Sequence, residues 1–484
     1  MLSHATRIPV LFSAGFFYFA FRIYWHDWSM DTDAWTIVHS GRVLLNEGVF
    51  KGDTNFLLVN LVGLLPAGLD SPFLFPLITA VLGSAACLAV HEIILGLINH
   101  RGYALAGWGI ILLSPMMIWL VMACNSVIYA TCFVLGSLYF FMRNDTPKGS
   151  AFLALAALSR PEPFLLIAFV ATYLLWQWKK EGTPTTRFLG NLTLLALPPI
   201  LWMVANFYKM GDAFYAFERA QTYTLNTGQN YSGLEFPRHF YNLISYYYFS
   251  FLALALGISG SLYFFKKIRS LRFLYGYLIL SILFYWMLAP FNMPLFQRYL
   301  LPVSIYLIIF GIMLFKELSD KWVPPSPTQK KKFSLSTLLP VACLLLFIHL
   351  PAQSAIEKMI LFNKNIDKDI PIVAGHLRQR LSNVPLRSIT VVASARRIPQ
   401  LEFLLYEYHS RLTFIPVRNI YFKKTDLFKE EVNWIVYAPD DFIPNKSALY
   451  LSSLISEGEL KKQGLYVAEN IPISEHTQML HLSR

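Results

Sequence analysis

The sequence predicts an α-helical protein that crosses a membrane many times and carries a small α/β domain at its C-terminal end. Of its 484 residues, 55% are hydrophobic and only 14% are charged, where a globular chain carries about a quarter charged residues. The charges sit in short breaks between apolar runs close to the roughly 20 residues that a span requires. After residue 351 the composition changes: residues 352–484 hold 17 Lys/Arg and 14 Asp/Glu, a soluble density. These observations exclude a soluble enzyme and divide the chain into a multi-span module, 1–351, and a domain, 352–484.

The runs read as spans are approximately 8–25, 72–98, 103–122, 126–142, 189–208, 241–265, 273–290, 299–315 and 334–351. The first continues past a signal-core length without a small-residue cleavage site, so it is expected to stay as a span. Basic residues sort by side. Alternate connections hold sixteen Lys/Arg against six in the others, which places the richer set and the N-terminus in the cytoplasm. The net charge of +12 belongs to those loops, so no nucleic-acid partner is implied. Parity closes only if 151–177 enters and leaves on one side, as a re-entrant or broken helical hairpin, because Arg143/Lys148 before it and Lys179/Lys180 after it are both basic. The C-terminal domain then lies outside. Within it, Ile389–Ala393, Leu412–Val417 and Trp434–Ala438 read as strands, and Gln400–His409 and Ala448–Ile455 as amphipathic helices. Cys87, Cys124, Cys132 and Cys343 all lie in apolar runs and read as packing residues. Neither a disulfide framework nor a metal site is implied.

Chemistry is expected where charges meet the membrane on the outer side. The first outer loop, 26–71, opens His26-Asp27-Trp28-Ser29-Met30-Asp31-Thr32-Asp33. Apolar or small residues at 34, 37, 38, 41, 44 and 45 then follow helical spacing. Asp33 reads as a helix N-cap or as a general base fixed at the interface, and the two roles can coexist. Leu158-Ser159-Arg160-Pro161-Glu162-Pro163-Phe164 lies within the hairpin. A charge at membrane depth costs about 2.5–3.5 kcal/mol. Arg160 and Glu162 therefore either satisfy a broken helix as a pair, or form a phosphate site in which Glu162 orients the arginine. Gln297-Arg298-Tyr299-Leu300-Leu301-Pro302 stands at a span end, where Arg298 either snorkels or holds an anionic head group. Tyr208-Lys209-Met210-Gly211-Asp212 opens a long outer loop and by itself reads as a Gly-Asp turn.

In order, these motifs over residues 8–315 resemble the glycosyltransferase C superfamily, which includes protein O-mannosyltransferases and lipid A aminoarabinose transferases. The resemblance implies a multi-span fold whose first outer loop carries the catalytic acid. It also implies a polyprenyl-phosphate-linked sugar as co-substrate and inversion by direct displacement, with a lipid, glycan or protein acceptor in the cell envelope. Asp31 and Asp33 match the acidic motif, with Asp33 preferred as base. Arg160 and Glu162 match the Arg-Pro-Glu element, Arg298 the arginine near the lipid phosphate, and Asp212 and Tyr299 the substrate loop. Two departures stand out: Asn125-Ser126 occupies a junction where relatives commonly carry an acid, and Pro163 stands where many have Gly. No further cofactor is implied. The expected setting is the inner membrane, with the C-terminal domain periplasmic or extracellular. A transporter or lipid flippase is the competing class; no internal hydropathy repeat supports it.

Overall fold

A computed structural model describes residues 4–25, 32–48, 57–215, 251–268, 271–288, 300–322, 339–343, 369–383, 388–394, 397–417, 433–437, 460, 464–474 and 477–483. The chain is an α-helical polytopic membrane protein with a C-terminal α/β domain. By contact it forms two compact units. One comprises Met1–Trp25, Gly52–Val62 and Pro72–Glu357; the other comprises His26–Lys51, Gly63–Ser71 and Lys358–Arg484.

The first unit contains α1 (His4–Trp25), α4 (Leu74–Ile98), α5 (Arg101–Leu112), α6 (Pro115–Met122), α7 (Val127–Met142), α8 (Thr146–Ser159), α9 (Phe164–Glu181), α10 (Thr185–Met210), α11 (Phe251–Tyr263), α12 (Arg272–Leu288) and α13 (Leu301–Trp322). Among the described residues, the helices long and apolar enough to cross a membrane are Leu74–Ile98, Thr185–Met210 and Leu301–Lys321, with α5 and α6 a fourth if counted as one bent span. The expected single span over 103–122 is therefore broken, with a 53° bend. Pro115, at the first position of α6, lacks an N–H and its ring crowds the preceding turn, which favours a break at that point. Helices α7 and α12 are apolar but shorter. Residues 241–250 of the expected span 241–265, and 334–338 and 344–351 of the expected span 334–351, lie outside the described residues. The four cysteines are buried and unbridged.

The segment 146–181 is a helical hairpin. Asp145 caps α8 by accepting from the Lys148 amide at 3.4 Å. The helix runs back along α7, with Ser137 donating to the Gly149 carbonyl at 2.8 Å and Gly136 pressed on Phe152, where a Cβ would stand 2.4 Å from the ring. It ends where the sequence demands: Arg160 is extended (φ −159°, ψ 154°), because a residue before proline is driven from the helical region. Helix α9 then returns, closing at Gly182 (φ +67°), a left-handed cap suited to glycine. Its last turn meets the start of α10, with Trp178 stacked on Phe188 at 5.1 Å. Asn191 in turn donates to Thr146 at 3.3 Å. Both open ends of the hairpin thus lie together and its tip lies at the start of α7. The strong basic flanks on one side follow from that arrangement.

The second unit holds α2 (Thr32–Glu47), the later part of α3 (Leu57–Gly68), a helix over 369–383 (α14), α15 (Ile398–Leu404) and a five-stranded sheet. The strands are β1 (Ile389–Ser394), β2 (Leu412–Val417), β3 (Trp434–Tyr437), β4 (Tyr466–Pro472) and β5 (Gln478–Ser483), in order β2-β1-β3-β5-β4. Strand β1 pairs in parallel with β2 and β3, whereas β5 runs antiparallel to β3 and β4. Val373, Leu377 and Leu381 of α14 pack with Val391, Leu401, Trp434 and Met479 in one core. The three strands read from the sequence are present. The expected helix over 400–409 starts earlier, at Ile398, and passes at Tyr406 into a 3-10 turn to Arg411, while the expected helix at 448–455 lies outside the described residues.

The hairpin yields a direct check. In a background lacking the four native cysteines, single cysteines replacing Asn144 and Thr186, both exposed, should react with an impermeant maleimide from the same face of the membrane. Labelling from opposite faces would mean that 146–181 crosses once.

Candidate functional site

At the hairpin tip, charges singled out from the sequence meet a cavity. Arg160, only 4% exposed, donates from Nε to Glu162 Oε1 at 2.6 Å and from Nη1 to Ser126 Oγ at 2.6 Å. Its Nη2 lies 2.5 Å from the same Glu162 oxygen. The proline on either side of Glu162 forces the tight turn that brings carboxylate and guanidinium together two residues apart. Ser126 comes from the junction of α6 and α7, so the Asn125-Ser126 pair that departs from the acidic pattern still serves the arginine, through a hydroxyl. Asn125, fully buried, holds that junction by accepting from the Val127 amide at 3.1 Å.

A cavity of about 50 Å³ opens beside this cluster, bounded by Val127 and Val134 of α7, Leu166 of α9, Phe284 of α12 and Pro302 of α13. Its walls are apolar, and its polar lining comes from Arg160, Glu162, Thr131 and Ser281. Glu162 Oε2 and Thr131 Oγ1 are buried with no hydrogen-bond partner. A buried polar atom left unpaired costs about 1–3 kcal/mol; Glu162 Oε2 can take up only a hydrogen-bond donor, whereas the Thr131 hydroxyl can donate or accept. An arginine, a carboxylate and two hydroxyls thus border a cavity whose other walls are apolar. Sequence reasoning found Arg160 and Glu162 and marked the Asn125-Ser126 junction without giving Ser126 a role; it missed Thr131, which is indistinguishable by pattern from other hydroxyls in apolar helices.

The remaining candidates fall as follows. Helix α2 begins at Thr32, so Asp33 is in its first turn and not at its cap, contrary to the capping reading; a carboxylate there is still favoured by the helix dipole. Asp31, Arg298 and Tyr299 lie outside the described residues, as does the Asp33 side chain. Asp212 follows Gly211, which ends α10 at φ +77°, and accepts from the Phe214 amide at 2.9 Å, an Asx turn. That turn lies toward the hairpin-tip end of the unit: Phe164 at the tip packs on Trp202 of α10 at 5.9 Å, eight residues, or about 12 Å, before the helix ends. Among the described residues no group of three His, Cys, Asp or Glu could hold a metal ion.

These features define a multi-span membrane bundle with a polar-headed apolar cavity at one end and an appended α/β domain. The same fold is seen in the crystal structure of ArnT from Cupriavidus metallidurans bound to undecaprenyl phosphate, with a TM-score of 0.50, 13% identity, and coverage of 99% of this chain and 98% of that one. No protein-family model matches the chain, and no curated protein matches it in sequence. The likeness is one of fold.

The cluster makes unequal demands on its members. Glu162→Ala leaves a buried guanidinium without its carboxylate and should lower stability by about 3–5 kcal/mol, whereas Ser126→Ala should cost about 1–3 kcal/mol. Thermal unfolding in detergent measures both, and a Glu162→Ala midpoint equal to wild type would show that the pair is not a structural requirement.

Proposed function

We propose that the chain is an inverting glycosyltransferase that moves a hexosyl or pentosyl unit from a polyprenyl-phosphate donor to an envelope acceptor. The observation that carries this reading is the buried Arg160–Glu162–Ser126 cluster heading an apolar cavity, in a fold shared with a protein solved with undecaprenyl phosphate. The acceptor hydroxyl attacks the anomeric carbon, the bond from that carbon to the phosphate oxygen breaks, and the phosphate leaves with both electrons. Arg160 and Arg298 offset the charge that grows on it. Asp33, assisted by Asp31, takes the acceptor proton. A single displacement requires no enzyme nucleophile. Asp212 and Tyr299 belong to the substrate loop.

The side assignment has independent support. Residues 26–51 of the acidic loop group with 358–484 in one compact unit, which agrees with a C-terminal domain on the same outer side as that loop. The protein is then an inner-membrane protein with its N-terminus in the cytoplasm, its donor in the bilayer and a lipid, glycan or protein as acceptor outside.

Comparison of glycolipids and glycoproteins from cells with and without the gene identifies the product. Asp33→Asn should reduce that product at least a hundredfold while the purified protein binds undecaprenyl phosphate as wild type does. Product near the wild-type level would move the base to Asp31. Arg160→Lys and Arg298→Lys keep charge but lose the planar two-pronged donor; each should weaken undecaprenyl phosphate binding about tenfold in a titration. Unchanged affinity in either variant removes that arginine from the phosphate site. Solute uptake that changes with these variants in the absence of any lipid-linked sugar would instead identify a transporter.

A further inference from the structure

We propose that the C-terminal α/β domain is the positioning platform of the acidic first loop, and that Arg42 is its clasp. The proposal rests on the glycosyltransferase reading in taking Asp33 as the base.

Helix α2 presents a stripe to α15. The Trp35 ring lies 5.6 Å from the Phe403 ring, and His39 Nε2 lies 3.7 Å from the Glu402 carboxylate. Arg42 places its guanidinium 4.1 Å from the Phe403 centroid and donates from Nη1 to the Phe403 carbonyl at 2.8 Å. Its Nη2 pairs with Asp70. At the far end of the helix, the Tyr406 hydroxyl donates to Glu47 at 2.8 Å. One arginine therefore ties three separate segments: α2, the turn after α3, and the C-terminal domain. A lysine has neither the fork nor the flat face for the same grip.

On another side, α2 rests against α3 so closely that a Cβ on Gly41 would stand 2.7 Å from the Gly63 carbonyl oxygen. Held on two sides, the helix cannot roll or slide without breaking one set of contacts. A helix is a stiff rod, so the position of its first turn is set by the clasp, although Asp33 is nine residues, or about 13 Å, from Arg42. Buried Ala34, Ile37, Val38 and Val43 complete a helix wedged between two supports. The grip explains why a soluble domain follows a membrane enzyme: it makes the loop that bears the base rigid.

The test uses the full chain, in cells for product and in nanodiscs for exchange and binding, with undecaprenyl phosphate as the probe. Arg42→Ala should lower product at least tenfold with probe affinity within twofold of wild type. Amide hydrogen exchange across residues 35–44 should rise at least tenfold while β1 exchanges as before. Arg42→Lys, which can still pair with Asp70, should recover part of both losses. Phe403→Leu keeps an apolar core residue and should shift α2 exchange in the same direction; it decides the question if Arg42→Ala also loses β1 protection. Wild-type exchange in α2 for both variants, or wild-type product from Arg42→Ala, would overturn the clasp. Full product from Asp33→Asn would overturn the base assignment alone, because the exchange measurement does not depend on it.

Discussion

A guanidinium inside an apolar helical bundle must have acceptors, and the arrangement around the hairpin follows from that requirement at Arg160. The residue is buried, so the helices must bring it a carboxylate and a hydroxyl. Glu162 comes from the same turn and Ser126 from 34 residues earlier. Satisfying both fixes the tip of α8 at the start of α7 and therefore fixes the depth and direction of the whole hairpin. A slip of one turn along α7 would carry Arg160 about 5 Å from Ser126 and leave the charge against hydrocarbon.

A second buried charge group, elsewhere in the first unit, obeys the same constraint. Arg7 of α1 donates to Glu92 of α4 at 3.1 Å, and His91 shares that carboxylate oxygen at 2.9 Å. The group joins the first helix to α4. Between these polar anchors the helices pack through small residues and aromatic rings. Gly107 lies under Ile94, Gly257 and Gly260 let α11 approach the backbone of α13, and Phe141 stacks on Phe273 at 5.1 Å. Apolar packing in a bilayer has little directional preference of its own, because lipid tails are as apolar as leucine. Close backbone approach and buried polar pairs therefore decide which helices are neighbours.

The second unit solves a different problem with similar means. Its sheet, covered by α14 and α15, is an ordinary small core, but α15 also offers α2 a ring, a carbonyl and a carboxylate. Arg42 is desolvated there, which lowers its pKa from the usual value, while Tyr406 and Glu407 act in the opposite sense. Burial and the hydrogen bond to Glu47 raise the Tyr406 phenol. A charge is retained in this place because its planar group meets a carbonyl, a carboxylate and a ring at once, three acceptors that no single aliphatic side chain could replace.

The sequence by itself determined the class of molecule and most of its elements, because these depend on local patterns. Apolar length marks α4, α10 and α13, alternate basic loops require a returning hairpin, Arg160-Pro161-Glu162-Pro163 breaks the helix at its tip, and apolar β-branched runs mark β1, β2 and β3. Local signals were weaker for β4, which is largely exposed and so lacks a buried face, and for α14, whose apolar positions differ little from those of a surface helix. Only the tertiary structure decided which distant residues serve one another. It brought Ser126 to Arg160, put Thr131 into the cavity, moved Asp33 from the cap into the first turn of α2, and joined Arg42 to Phe403 across 361 residues of sequence. Hydrophobic periodicity states that a face is buried, and the helix boundary states where a turn begins. Neither names the partner, since any carbonyl, hydroxyl or ring of suitable geometry satisfies a buried donor equally well until the fold selects one.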